Sequence, residues 1–510
     1  MTNPKIFIVM LLYMCVVIGI GVYFYKRSQK NAESYFLGGR SLGPWVTAMS
    51  AEASDMSGWL LMGLPGVAYW CGLADAFWTA LGLAIGTYIN WLIVAKRLRH
   101  YSQTAGNAIT VPDFFSNRFK EDKKVILGIA SVFIFIFFSV YASSCFATCG
   151  KLFETLFGFD YHIMLIVGAV FVIAYTLIGG FLAESVSDFM QAIVMVTALI
   201  IVVAVGVFNA GGFGAVIENA RSIPGFFSLT SMSNGDGTAS EYGFLTIIST
   251  MAWGLGYFGM PQVLLRFMSI RRSSEIKRSR IIATVWVVIS LSVAVFIGIM
   301  GRALTFEEGG DVLGTASGAE NILIVFSTNY LPFIFAGIVM AGILAAMISS
   351  SDSYLLIASS AVSLNIYKGI IKKDKNPDEK TVMWVSRIVL LVIAMAGIIV
   401  AWDKNSKIFD IVSFAWAGFG ATFGPLMLFS LFWKRTTRVG AIAGMLTGGI
   451  TVFVWKLVIR VVCDGTVLDI YELLPAFILS AVAIVVGSLL SKEPSKEICD
   501  EFELAKSGNV

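Results

Sequence analysis

The stretch "SAEASDMSGWLLMGLPG" (50–66) lies inside an apolar run, yet it carries Glu52, Asp55, three serines, three glycines and a proline. Glycine and proline weaken a helix, and ionisable groups at membrane depth are costly. Backbone that leaves helical form within hydrocarbon is tolerated only where protein buries it or water reaches it. The stretch therefore reads as a helix break with a function, and the fold turns on what surrounds it.

The surroundings are apolar throughout. Of 510 residues, 57% are hydrophobic and 14% charged, where a soluble domain carries about 25% charged residues. Runs such as "IFIVMLLYMCVVIGIGVYFY" (6–25) and "FILSAVAIVVGSLL" (477–490) recur along the chain. About 20 apolar residues form a helix that crosses the hydrocarbon core. The pattern predicts an all-α polytopic membrane protein. The first run lacks a small-residue cleavage site and reads as a retained span.

Apolar runs separated by charged breaks predict about 13 transmembrane helices, near 4–25, 42–70, 73–95, 125–156, 162–180, 187–208, 242–268, 281–300, 332–366, 383–402, 408–432, 438–460 and 472–490. The loops "KRSQK" (26–30), "KRLRH" (96–100), "RRSSEIKRSR" (271–280), "KGIIKKDKNPDEK" (368–380) and "KRTTR" (434–438), with the tail 491–510, fall on one side. The positive-inside rule makes that side cytoplasmic, which puts the N-terminus outside and the C-terminus inside. The expected outer loops are 209–241 and 301–331, the latter with "FEEGG" (306–310).

Several function classes fall away. The six cysteines are scattered, and the two histidines, His100 and His162, flank spans. A histidine-based triad or zinc site has no residues to build it, and no nucleophile–base constellation suggests an enzyme. The basic residues anchor loops, so the net charge of +4 does not point to nucleic acid. The polar tail after residue 490 leaves no room for an appended signalling domain, which disfavours a transporter-fold sensor.

A second span is interrupted as well. "WGLGYFGMPQVLLRF" (253–267) holds Gly254, Gly256, Gly259 and Pro261, followed by Arg266. Four spans separate the two breaks, with about five spans in each half. Paired Gly/Pro-interrupted spans at matching positions of two halves point to a secondary transporter's binding site, and an odd number of spans per half forces inverted topology. Unwound segments expose carbonyls to a cation, and a following half-helix offers its N-terminus to an anion. On that reading Gly58, Gly63 and the glycines around Tyr257 free the backbone, and Asp55 balances a cation. The competing reading is close packing of small residues.

A third stretch, "GILAAMISSSDSYLL" (342–356), places Ala346, Ser349 and Ser350 on one helical face. Hydroxyl and carbonyl oxygens suit hard cations such as Na⁺. Serines here also serve as back-bonded or helix-gluing residues. Trp253, Tyr257 and Pro261 recur every four residues, a stripe suited either to a small-ligand pocket or to an interfacial belt.

Together "YFLGGRSLGPWVTAMSAEASDMSGWLLMGLPG" (35–66), "YTLIGGFLAESVSDFMQA" (175–192), "WGLGYFGMPQVLLRFMSI" (253–270), "AGILAAMISSSDSYLL" (341–356) and "FAWAGFGATFGPLMLFSLFWKR" (414–435) resemble the sodium:solute symporter family. "ASDMSGWLLMGLPG" resembles its proline branch; "GGFLAESVSD" and "AAMISSSDS" are family-wide. The resemblance implies a leucine-transporter-like fold, a five-plus-five inverted repeat (about 42–208 and 242–432) with one extra N-terminal and two extra C-terminal helices, in one domain over 1–490. It implies symport of Na⁺ and L-proline by alternating access across a bacterial plasma (inner) membrane. Na⁺ is the only metal and no cofactor is implied. Other small amino acids or carboxylates are the alternative cargo. Sugar is disfavoured because the pocket residues are aromatic and small.

Residue by residue, the resemblance implies a Na⁺ site from the carbonyls of Ala53, Met56 and Ala346 and the hydroxyls of Ser349 and Ser350. Asp55, Ser57 and Gly58 would support it, and Asp188 would lie on the Na⁺ exit route. Trp59, Tyr141, Trp253, Tyr257 and Pro261 would form the substrate pocket, and Arg40 would influence coupling. Two positions depart from the branch. Ser350 stands where threonine is common, which keeps a hydroxyl. Glu52 stands where a small residue is common; it is turned ~100° from Ala53 along the helix, which favours a partner on a neighbouring helix over the site.

Overall fold

The computed structural model of the protein describes residues 4–28, 36–234, 237–305, 313–372 and 377–507. The "FEEGG" segment lies outside the described residues. The described residues are mostly helical: α1 (Pro4–Ser28), α2 (Pro44–Asp55), α3 (Leu64–Cys71), α4 (Leu73–Ile89), α5 (Ala95–Thr104), α6 (Val111–Arg118), α7 (Val125–Phe157), α8 (Tyr161–Asn209) and α9 (Phe213–Ser222). A hairpin of β1 (Ser231–Ser233) and β2 (Ala239–Glu241) follows, a small departure from the all-α expectation. Then come α10 (Phe244–Met251), α11 (Trp253–Gly256), α12 (Pro261–Ser269), α13 (Ile276–Thr305), α14 (Ala316–Ala319), α15 (Ile322–Tyr330), α16 (Phe333–Ser360) and α17 (Glu379–Val400). The chain ends with α18 (Ile408–Phe432), α19 (Arg438–Val454), α20 (Arg460–Val462), α21 (Leu473–Leu490) and α22 (Lys496–Ser507).

Among the described residues, ten helices are long and apolar enough to cross a membrane, and the apolar helices Trp59–Cys71 and Tyr161–Leu177 are shorter. The interrupted spans account for part of the difference from the expected number. The second expected span is divided between α2 and α3, and the seventh is divided into α10, α11 and α12. α8 changes direction at Gly180, where φ is 67° and ψ 174°, a conformation that glycine adopts without steric cost.

The core centres on α16, which is buried without interruption from Val339 to Ser360 and packs against α7, α8 and α2. Small residues at Gly342, Ala345, Ala346 and Ser349 allow these neighbours to approach closely, as helix packing in lipid requires.

Among the described residues, the basic segments around 96–100, 271–280 and 434–438 and the tail are neighbours in space. Arg99 Nε donates to Ile270 O at 2.7 Å, and Lys434 Nζ pairs with Glu503 at 3.1 Å. The tail expected to be merely polar is the helix α22 over most of its length. Its Phe502 is buried against Tyr101 of α5, at 6.2 Å between ring centres.

Candidate functional site: two broken helices meeting α16

α2 starts well and ends abruptly. Pro44 occupies its first turn, where a missing N–H costs nothing. At its far end Met56 leaves the helical region, with φ −87° and ψ 77°. Met56 N–H still reaches Glu52 O at 2.8 Å, but Ser57 N–H turns onto Asp55 O at 3.1 Å. Regular geometry would have sent that N–H to Ala53 O. Ala53 O instead accepts the hydroxyls of Ser349, at 2.8 Å, and Ser350, at 3.2 Å, both from α16. Ser349 Oγ also lies 3.3 Å from Ala346 O. Four of the five expected cation-site residues therefore present oxygens to one another. Met56, the fifth, stands at the break; its sulfur accepts from Ser290 Oγ at 3.5 Å.

Asp55 is the hub of the aromatic residues. Its carbonyl accepts the Trp59 indole at 3.1 Å and the Tyr141 phenol at 3.3 Å. Its carboxylate accepts the Tyr257 phenol at 2.9 Å and the Gln262 amide at 3.3 Å. Trp253 stacks on Trp59 with ring centres 6.0 Å apart. Trp59, Tyr141, Trp253 and Tyr257 thus share one buried region beside the break. Pro261 heads α12 as its first residue, and the neighbouring Gln262, not Pro261, bonds to Asp55. Asp55 directs its carboxylate to the second break rather than to the serine hydroxyls.

Sequence reading missed three members of this wall. Gln262 reaches Asp55, Tyr354 stacks on Tyr141 at 4.3 Å, and Trp416 donates to Trp253 O at 2.8 Å. Tyr354 was legible, because it lies on the same helix as the serines. Trp416 comes from α18 and carries no local signal.

The glycines around the breaks take mainly the packing role. Leu255, Phe258 and Gly259 donate N–H groups to Ala252, Leu255 and Gly256 carbonyls, so the second break is a run of tight i→i+3 turns. A Cβ on Gly254 would fall on the backbone of Gly82, one on Gly256 on the Trp416 ring, and one on Gly259 on Phe419 O. A Cβ on Gly58 would meet Thr148. These positions need glycine for close approach, as the competing small-residue packing reading expects. At Gly63 an added Cβ would meet Phe409 and Trp59 at 3.4 Å, an ordinary contact.

Two further buried networks lie beside these breaks. Asp188 accepts from Ser50 Oγ at 2.7 Å and from Arg266 Nη2 at 3.2 Å. Arg266 also pairs with Glu184 and donates to Ser353 Oγ at 2.9 Å. One buried guanidinium thereby ties α2, α8, α12 and α16 together. Arg40, below α2, donates to Met268 O at 2.6 Å, Ala108 O at 2.8 Å, Ser102 Oγ at 3.2 Å and Asn107 Oδ1 at 3.2 Å. Beside it Leu42 pairs with Ile270 in a single parallel bridge. Glu52 turns to a neighbouring helix, as expected: the Trp91 indole donates to its Oε1 at 3.2 Å.

Comparison with known proteins agrees with this architecture. Residues 35–448 match the model of the sodium:solute symporter family. A sodium/proline symporter of Staphylococcus aureus strain USA300 / TCH1516 is 40% identical over 494 residues, 96% of this chain and 94% of that protein. The sodium/proline symporter of strain NCTC 8325 / PS 47 gives the same values. The fold is similar to that of a substrate-bound, outward-open Na⁺-coupled sialic acid symporter, at TM-score 0.78 and 20% identity, covering 97% of this chain and 99% of that one. It is also similar to a nucleobase-cation-symport-1 family transporter in a closed conformation, at TM-score 0.54 and 13% identity, covering 92% and 98%. With the family model spanning most of the chain, this protein belongs to the sodium:solute symporter family.

Proposed function

We propose that this protein is a Na⁺/L-proline symporter that works by alternating access. Its thirteen spans would form a five-plus-five inverted repeat, with the basic end in the cytoplasm. The observation that carries this reading is the pair of α16 hydroxyls converging on a main-chain carbonyl that the broken helix has released. A cation entering there would turn the hydroxyl protons of Ser349 and Ser350 away, with both serines still protonated, and meet oxygens of Ala53, Ala346, Ser349 and Ser350. It joins α2 to α16 by ionic contacts in place of hydrogen bonds, which stabilises the arrangement closed at the basic end.

The substrate half follows from Asp55. A cation at Ala53 and the carboxylate of Asp55 two residues on would order Tyr257 and Gln262 around one space. The proline ring would lie among Trp59, Tyr141, Trp253 and Tyr257. Its carboxylate would lie at the start of the segment after the break, where backbone N–H groups and the helix dipole favour an anion. Inward release requires the Arg40 and Arg266 networks to part. Na⁺ moving down ~100 mV contributes ~2.3 kcal/mol to this cycle before any concentration gradient. The 40% identity to sodium/proline symporters supports proline over other small amino acids or carboxylates.

The test is uptake of labelled L-proline into proteoliposomes with and without an inward Na⁺ gradient. We expect gradient-driven accumulation in the wild type and its loss in the Ser349→Ala/Ser350→Ala double variant. Proline uptake indifferent to Na⁺ would overturn the proposal.

A further inference from the structure

A groove of about 430 Å³ runs along the outside of the bundle at its basic end. Trp45 and Met49 of α2, Ile193 and Val196 of α8, and Val285 and Ile289 of α13 line it. Its walls are spans, and several lining side chains are bare on the protein surface, Trp45 by 56% and Val285 by 53%. The groove is therefore filled from the bilayer and not from the transport pathway. Its size is within the range of small-molecule sites.

The helix α13 brings basic residues one turn ahead of this apolar lining. On α13, Arg278, Ile282, Val285 and Ile289 recur at spacings of four, three and four, one face of a helix. Arg278 is exposed at the head of that stripe, one turn beyond the apolar lining, with exposed Lys277 beside it. The one carboxylate in 271–280, Glu275, is held by the fork of Arg271 at 2.8 to 3.1 Å. Arg280 points elsewhere, over the Tyr88 ring at 5.4 Å. Trp45 has the amphipathic ring that settles at headgroup level. A basic mouth over an apolar slot between helices matches the head and tail of an anionic lipid.

We propose that this groove is a binding site for one anionic phospholipid, its headgroup on Arg278 and Lys277 and an acyl chain between α2, α8 and α13. The position matters because α2 is the half-helix that carries Asp55 and begins beside the Arg40 network. Ser279 Oγ already donates to Pro44 O at 3.0 Å, joining the heads of α13 and α2. A lipid in the groove adds a third wall contact from α8 and holds the same closed arrangement.

The test needs no transport substrate. The purified full chain is equilibrated with equal amounts of phosphatidylglycerol and phosphatidylcholine of identical acyl chains, and retained lipids are counted by native mass spectrometry. We expect the wild type to prefer phosphatidylglycerol by about thirtyfold, the effect of two basic residues at a membrane surface. Arg278→Gln should reduce the preference to about fivefold, the share of Lys277, while Arg280→Gln keeps it. Val285→Trp, which fills the slot, should reduce retention of both lipids. Equal retention by the wild type, equal loss in Arg278→Gln and Arg280→Gln, or full retention in Val285→Trp would each overturn the site.

Discussion

The two helix breaks look alike in sequence and differ in physics. At Asp55–Met56 the chain leaves the helix and strands a carbonyl, which side chains from another helix then satisfy. At Ala252–Met260 the chain tightens: the carbonyls of Ala252, Leu255 and Gly256 are met by N–H groups three residues on, while Trp253 O and Tyr257 O accept the Trp416 indole at 2.8 Å and the Asn90 amide at 2.9 Å. The first break's freed carbonyl is met by two hydroxyls of α16, the pair on which the proposed cation site rests. The second is a packed joint, with Gly254 against Gly82 and Gly86 and Gly256 against Trp416. Its contribution to the site is made by side chains, Tyr257 and Gln262, that lean on the first break's carboxylate. A glycine in a membrane helix thus marks either a released backbone or a close approach, and only its neighbours in space decide which.

The largest effect should come from the charged network below the first break. Arg266→Met leaves Glu184 and Asp188 buried without their guanidinium, a loss of about 3–5 kcal/mol. Thermal unfolding in detergent should show a large drop in midpoint or no recoverable folded protein. A melting curve like the wild type's would mean that the network does not hold α2 in place.

The packed joint should be nearly as sensitive. Gly254→Ala drives a methyl into the Gly82 carbonyl and should cost about 1–3 kcal/mol, as overpacking does. The comparison breaks if Gly254→Ala melts as the wild type does while Na⁺ dependence is lost, because the second break would then be the released one.

The released carbonyl gives a smaller and more specific effect. Ser349→Ala removes one of two hydroxyls on Ala53 O, worth about 1 kcal/mol for a neutral hydrogen-bonding group. The Na⁺ concentration for half-maximal uptake should rise about fivefold with little change in melting. Ser350→Thr keeps the hydroxyl and should shift it less.

How much of this was readable from the chain depends on the range of each interaction. The spans, the first break and the serine face were legible because each is local: a polar interruption in an apolar run, or hydroxyls three and four residues from Ala346. The bond from Tyr257 to Asp55 joins positions 202 apart, and the Trp416 bond to Trp253 joins positions 163 apart. No periodicity carries such pairings. The division between packing glycines and a released carbonyl was equally hidden, since Gly58, Gly254 and Gly256 are the same letter.

The tail carries a helical signal of its own. In "KEICDEFELAKS" (496–507) Ile498, Phe502 and Ala505 recur at four and three, with acids and lysines between them. In the structure Phe502 lies under the guanidiniums of Arg97 and Arg118, at 5.1 and 5.3 Å. Lys120 pairs with Glu501, and Lys434 with Glu503, at the rim. α22 thereby leans on α5, the helix whose Arg99 and Ser102 hold Ile270 O and Arg40. Ion pairs as exposed as Lys434–Glu503 contribute little and are screened by salt, whereas the buried ring does not depend on ionic strength. Phe502→Ala should therefore lower the melting midpoint modestly at every salt concentration, and Lys434→Gln should change it only at low salt. If the two variants showed the same salt dependence, α22 would be held by charge alone, and its contact with α5 would loosen whenever the ionic strength rose.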